Sequence, residues 1–407
     1  MTSRWMLWIA AALVSLAGAC SSPTDDAENA ASSDDAVDAC SARNEVILWS
    51  SDAYLLTVAK HLAPNAACTD YYVGVPLDAS DKTNFHPAVA REIAAVHALG
   101  ANFHAVAEFQ WGAWRDWIAA SPGTRSWHAA GLELRARMKD AGFAMFSGNS
   151  DTWLINEFPS TILRSKDGVD KMVVRANALE AVRGLYEGGG VKKKGAIARS
   201  GTSSTPGGGM AQYKGWLEEL ITDGAFWKGM NDHVRWWGEE VYADPHDVCV
   251  GTATLADRAR HMNDYVFHMV RLADAGPAAA GPARDFFAHA YVPFLNGAWM
   301  TNGGYGDVRI SEANMSAFLS EQVYATHAFA DGRISGKRLA WAWTPSSASS
   351  TPAELDSLGT RLADAMNGAF AKGSRFACSP SGAFTDCHCA VSGAKLDEVW
   401  HDDFGTW

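Results

Sequence analysis

From Asn44 onward, short apolar runs alternate with longer stretches whose apolar positions recur every three or four residues. The short runs have the length and the β-branched or aromatic content of strands, and the longer ones have the period of amphipathic helices. Strands are expected at Val46–Ser50, Tyr71–Val75, Phe103–Phe109, Phe143–Glu157, Gly195–Arg199, His246–Val250, Phe286–Val292 and Arg338–Thr344. Helices are expected near Asp52–Leu62, Pro87–Leu99, Trp127–Ala141, Asp170–Tyr186, Met210–Ile221, Phe226–Tyr242, Leu255–Ala273, Ser311–Ala330 and Thr351–Phe370. Pro87 suits a first helical turn, and Gly100 and Gly142 suit helix ends.

Eight strand–helix repeats with no strand-only section predict a (β/α)8 barrel over residues 45–374. A doubly wound open sheet is the alternative, but it calls for a Gly-rich phosphate turn after an early strand. The first strand runs instead into Trp49-Ser50-Ser51-Asp52. Gly207-Gly208-Gly209 lacks the Lys-Ser/Thr of a P-loop and is expected in a flexible loop on the active face.

The ends of the chain read differently. Arg4, the apolar run Met6–Leu16 and the small residues Ala17-Gly18-Ala19 form a targeting segment. Cys20 follows directly, and the segment resembles a bacterial lipoprotein signal, cut before a cysteine that then carries lipid. Leu16 stands one place further from Cys20 than the usual leucine, so ordinary secretory cleavage is the runner-up. Residues 21–44 are rich in Ser, Ala, Asp and Glu, which cannot bury enough surface to fold, and are expected to form a tether. The chain is thus expected at the cell envelope, touching the membrane through its N-terminal anchor only.

Besides Cys20, the cysteines are Cys40, Cys68, Cys249, Cys378, Cys387 and Cys389, an even set that suits disulfides in an exported chain. Cys40 with Cys68, and Cys378 with Cys387 or Cys389, are the expected pairs. Residues 375–407 are expected as a small stapled tail. Cys387-His388-Cys389 has too few neighbouring ligands for zinc, and no metal or other cofactor is expected.

A formal net charge of −12 argues against nucleic acid or an anionic membrane surface as partner. Lys192-Lys193-Lys194 is expected in a solvated loop. The 17 Trp and 10 Tyr shift attention to carbohydrate, because aromatic faces suit sugar rings.

Catalytic groups of such barrels collect at the C-terminal ends of the strands. The expected candidates there are Asp52, Asp78, Glu108, Asp151 and Glu157. His289 and Tyr291 lie on the seventh predicted strand and Trp299 in its loop. Trp341 and Trp343 alternate with Ala340 and Ala342, so both are expected on one side of the eighth. Trp111, Trp114, Trp153, Trp299 and Trp343 are the expected stacking platforms. Glycosidic hydrolysis needs one protonated carboxyl and one ionised one. Glu157 and Glu108 end neighbouring strands and fit that pair, with Asp151 and Asp52 next in line. A purely structural Glu157 would cap the next helix or pair with Arg164. Glu239-Glu240 fall near the end of the predicted helix Phe226–Tyr242, an end directed to the opposite face, and are read as structural. Serine-hydrolase elbows, His-Glu-x-x-His and nucleotide fingerprints are absent from the sequence.

Asn156-Glu157 at the end of a fourth strand resembles the Asn-Glu signature of clan A glycoside hydrolases. The resemblance implies Glu157 as general acid/base and Asn156 as a contact to the sugar 2-hydroxyl. It also implies a nucleophilic Glu at the end of strand seven, and Phe286–Trp299 contains none. Glu108 is then the expected second carboxylate. A non-catalytic glycan-binding lipoprotein on the same barrel is the rival expectation.

Overall fold

The computed structural model describes residues 43–49, 54–62, 68–75, 77–78, 80–120, 125–145, 151–190, 192–200, 210–240, 268–296 and 338–342, with single residues near 319–322 and 353–361. The targeting segment with Cys20, the tether, Asp52, the Gly207–Gly209 loop, His246–Val250, Trp299, Trp343 and the Cys-rich tail lie outside them. Cys68 is disulfide-bonded.

Eight strands, all parallel, form one closed barrel in sequence order. They are β1 (Asn44–Leu48), β2 (Thr69–Val75), β3 (Phe103–Gln110), β4 (Thr152–Phe158), β5 (Gly195–Ser200), β6 (Val234–Glu240), β7 (Phe294–Asn296) and β8 (Arg338–Ala342). The described helices are α1 (Tyr54–Leu62), α2 (Val89–His97), α3 (Trp111–Ala119), α4 (Trp127–Ala141), α5 (Lys171–Glu187), α6 (Met210–Ile221), α7 (Gly224–His233), α8 (His268–Ala275) and α9 (Gly281–Ala290). This is the (β/α)8 architecture that the alternating pattern predicts.

Strand side chains alternate between two cores. Ile47, Tyr72, Val106, Leu154, Ala196, Trp236, Phe294 and Ala340 fill the barrel. Val46, Val73, Phe109, Ile155, Ile197, Trp237 and Trp341 pack outward against the helices. Trp341 therefore faces the helices.

Two predicted elements are corrected. The stretch expected as one helix from Phe226 to Tyr242 is α7 followed by β6. Phe226, Trp227 and Met230 form the buried face of α7, and the chain then extends so that Trp236 and Trp237 enter opposite cores. A strand buried on both faces shows no alternation, which hid it from a periodicity reading. The stretch expected as strand seven, Phe286–Val292, is mostly α9. Pro282 sits in the first turn of α9, and Phe286, Phe287 and Ala290 share its buried face.

The seam between β6 and β7 is thin, holding one ladder pair, Glu240 with Phe294, plus an isolated bridge from Trp237 to Tyr291. Packing reinforces it. A Cβ on Gly238 would lie 1.9 Å from the Phe294 ring and 2.7 Å from the Val292 carbonyl oxygen. Gly238→Ala is therefore expected to lower stability by about 3 kcal/mol, at the upper end of overpacking costs. Urea denaturation of the purified chain measures it.

Candidate active site

At the N-terminal ends of the strands the carboxylates are matched by cations. Glu45 receives Arg338 Nε at 2.7 Å and Trp236 Nε1 at 2.8 Å, and also pairs with Arg235. Burial alone would raise its pKa, but Arg235 and Arg338 hold it below the usual carboxylate range. Arg43 grips both oxygens of Asp70 at 2.7 and 2.8 Å.

Asp151 belongs to this end too, one residue before β4, because that strand starts at Thr152 and not at Phe143. Its carboxylate accepts the Ala105 and Ala144 backbone N–H groups at 2.7 and 2.6 Å and meets His97 Nε2 at 2.8 Å. The expectation that it serves the mouth is corrected: it ties strands together on the opposite face. Of the lysine run, which lies in a loop as expected, Lys192 is exposed while its two neighbours are half-buried. Lys193 is half-buried just before β5, and burial with Arg235 and Arg135 nearby pushes its pKa down to about 8.

The C-terminal mouth is built differently. Glu108, near the end of β3, is 2 % exposed. Its Oε2 accepts Trp49 Nε1 at 2.8 Å, and its Oε1 accepts Gln110 Nε2 at 2.6 Å and Asn156 Nδ2 at 2.8 Å. Burial raises its pKa against the pull of these three donors. Three neutral donors on one carboxylate suit the ionised form. Trp49 and Gln110 are the residues the sequence reading missed. For Gln110 a signal existed, since it lies two residues from Glu108 and so on the same strand face.

Asn156 is 8 % exposed. Its amide nitrogen serves Glu108, and its Oδ1 accepts the Glu157 backbone N–H. Glu157 is exposed and takes a φ of 50°, one of two non-glycine residues with positive φ among those described. The ladder to β5 explains why. Ile155 pairs with Ile197 and Phe158 with Arg199, so β4 uses one residue more than its partner. That bulge lets Ile155 and Phe158 both enter the helix-facing core, leaving Asn156 and Glu157 together at the mouth.

The structural roles open to Glu157 are filled by others. Asp170 caps α5, accepting the Met172 N–H at 2.9 Å, and the Arg164 guanidinium stacks on Trp216 at 4.6 Å. Among the described residues the Glu157 carboxylate has no ion pair or hydrogen bond. A strained, exposed, unpaired carboxylate, tied through Asn156 to a buried one, is an arrangement open to acid–base work.

Other expected site residues go elsewhere. Trp111 is 5 % exposed and stacks on Trp127 at 4.2 Å. Trp114 is fully buried beside Phe109. Trp153 is fully buried in the helix-facing core, donates to the Lys193 carbonyl at 3.1 Å, and lies where any Cβ on Gly195 would be. None of the three is a platform for a sugar ring. His289 sits exposed on α9, paired with the Asp285 carbonyl and the Asn231 side chain. Tyr291 is buried against Phe287. Glu239 and Glu240, expected near a helix end on the opposite face, end β6 at the mouth.

No protein-family model matches the chain, and no curated protein matches it. Among the described residues no three His, Cys, Asp or Glu side chains are grouped to hold a metal, and no helix is long and apolar enough to cross a membrane.

Two outcomes follow from this geometry. Trp49→Phe keeps the ring but leaves Glu108 short of a donor, at an expected cost of about 1–3 kcal/mol. The lost bond favoured the ionised form, so the Glu108 pKa rises further and the loss is larger at pH 8 than at pH 4. Urea melts at the two pH values give the comparison. Glu157→Gly removes the left-handed penalty and is expected to raise stability by roughly 0.5–1 kcal/mol, read as a higher denaturation midpoint.

Proposed function

We propose that this chain hydrolyses a glycosidic bond in carbohydrate, with Glu157 as the general acid. The observation that carries the reading is the bulged, left-handed and unpaired Glu157 at the C-terminal end of β4. A fold would gain stability from glycine there, so a carboxylate held in that conformation is best explained by its chemistry. Asn156 links it to Glu108, donating its Nδ2 to Glu108 and accepting the Glu157 backbone N–H on its Oδ1. The buried Glu108 carboxyl works through its neighbours: it holds the Asn156 amide, which holds the Glu157 backbone.

Asn156 keeps one amide hydrogen for a sugar hydroxyl once the other is given to Glu108. In this reading the chain is exported and held at the membrane by lipid on Cys20. The rival reading, a binding protein with an aromatic platform, is weakened by the burial of Trp111, Trp114 and Trp153.

Glu157→Gln tests the assignment on a panel of polysaccharides and aryl glycosides. The kcat is expected to fall by about 10²–10⁴ on natural glycans, the usual worth of general acid catalysis. The loss should shrink on dinitrophenyl glycosides, whose leaving group needs no proton. Undiminished turnover by a folded variant would sink the assignment.

A further inference from the structure

We propose that Glu240, at the C-terminal end of β6, is the ionised catalytic partner of Glu157. The inference rests on the hydrolase reading above. Glycosidic cleavage needs a second carboxylate that can approach the sugar. Glu108 cannot do so from where it stands: it is 2 % exposed, and both its oxygens are held by Trp49, Gln110 and Asn156.

The register of β6 supplies the alternative. Beyond an irregularity at its first residues, its ladder to β5 runs evenly from Trp236 to Glu240, which lies beside Ser200, while Glu239 lies beside Arg199. Trp236 belongs to the core inside the barrel, as does Phe294, whose ring occupies the space over Gly238. Glu240 is two positions further in the same phase, so its register position is on the barrel's inner face at the mouth. Glu239 shares the phase of Trp237, which belongs to the helix-facing core.

Only β5 separates β4 from β6. Strand ends two apart in a sheet are about 10 Å from each other. That strand spacing is comparable with the separation of about 5–9.5 Å that paired glycosidase carboxyls use. In the reaction a water oxygen bonds to the anomeric carbon as the glycosidic C–O bond breaks. The leaving oxygen takes the Glu157 proton, and the proton released by water returns to the carboxylate pair. In this proposal Glu240 supplies the negative charge that offsets the positive charge developing on the sugar between those events.

The test assays the full chain, with E240Q, E239Q and E157Q, on a glycan that the unsubstituted protein cleaves. E240Q is expected to lose at least about 10²-fold in kcat, while E239Q stays within about 3-fold. E240A with added sodium azide is expected to regain turnover, because the small anion enters the vacated space; a misfolded variant would gain nothing. Full activity of E240Q beside an inactive E157Q overturns this inference alone, as does a loss in E239Q instead, or a loss in E240A that azide leaves unchanged. Absence of hydrolysis by the unsubstituted protein on every glycan overturns the underlying reading as well.

Discussion

One extra residue in β4 sets the layout of the mouth. Ile155 and Phe158 are three apart, and in a regular strand they would face opposite sides. Both are instead buried among the helices, Phe158 edge-on to Trp111 and Trp237 at 4.9 and 5.7 Å. The hydrophobic gain of seating both large side chains, about 1.5–3 kcal/mol each, outweighs one residue in a left-handed conformation. The extra residue falls on Glu157. Packing on the outside of the wall thus fixes a carboxylate at its rim.

The two ends of the barrel divide the electrostatic work. At the N-terminal end, Glu45 and Asp70 are locked to Arg235, Arg338 and Arg43. Partnered groups of that kind hold their charge but have none to offer a ligand. At the C-terminal end, Glu108 is held by neutral N–H donors, so its carboxyl is fixed in place by dipoles and not by a countercharge.

The sequence revealed the barrel because most of its strands are short apolar runs punctuated by glycine and proline. β1 to β5 and β8 were found within a few residues, apart from the start of β4, where Phe143 and Met145 mimic a strand. The chain was illegible where the rules compete. Val234-Arg235-Trp236-Trp237 continues the apolar pattern of α7 without a break signal, and Phe286-Phe287-Ala288 carries strand-like residues inside a helix. Those two misreadings moved Glu239 and Glu240 to the wrong end and put His289, a helix residue, in the wall. Of the candidate site, Glu157, Asn156 and Glu108 were legible from strand ends. The buried tryptophans were not, because a tryptophan for packing and one for a sugar look alike in sequence.

The closing seam of the barrel resembles a keyed lock more than a weld. A parallel ladder offers evenly spaced bonds, so β7 could slide by two residues and pair equally well. What forbids the slide is the Phe294 ring in the slot over Gly238, since no other residue between Val234 and Glu240 lacks a Cβ. The registry of β7 against β6 is thus encoded by the absence of a single carbon atom.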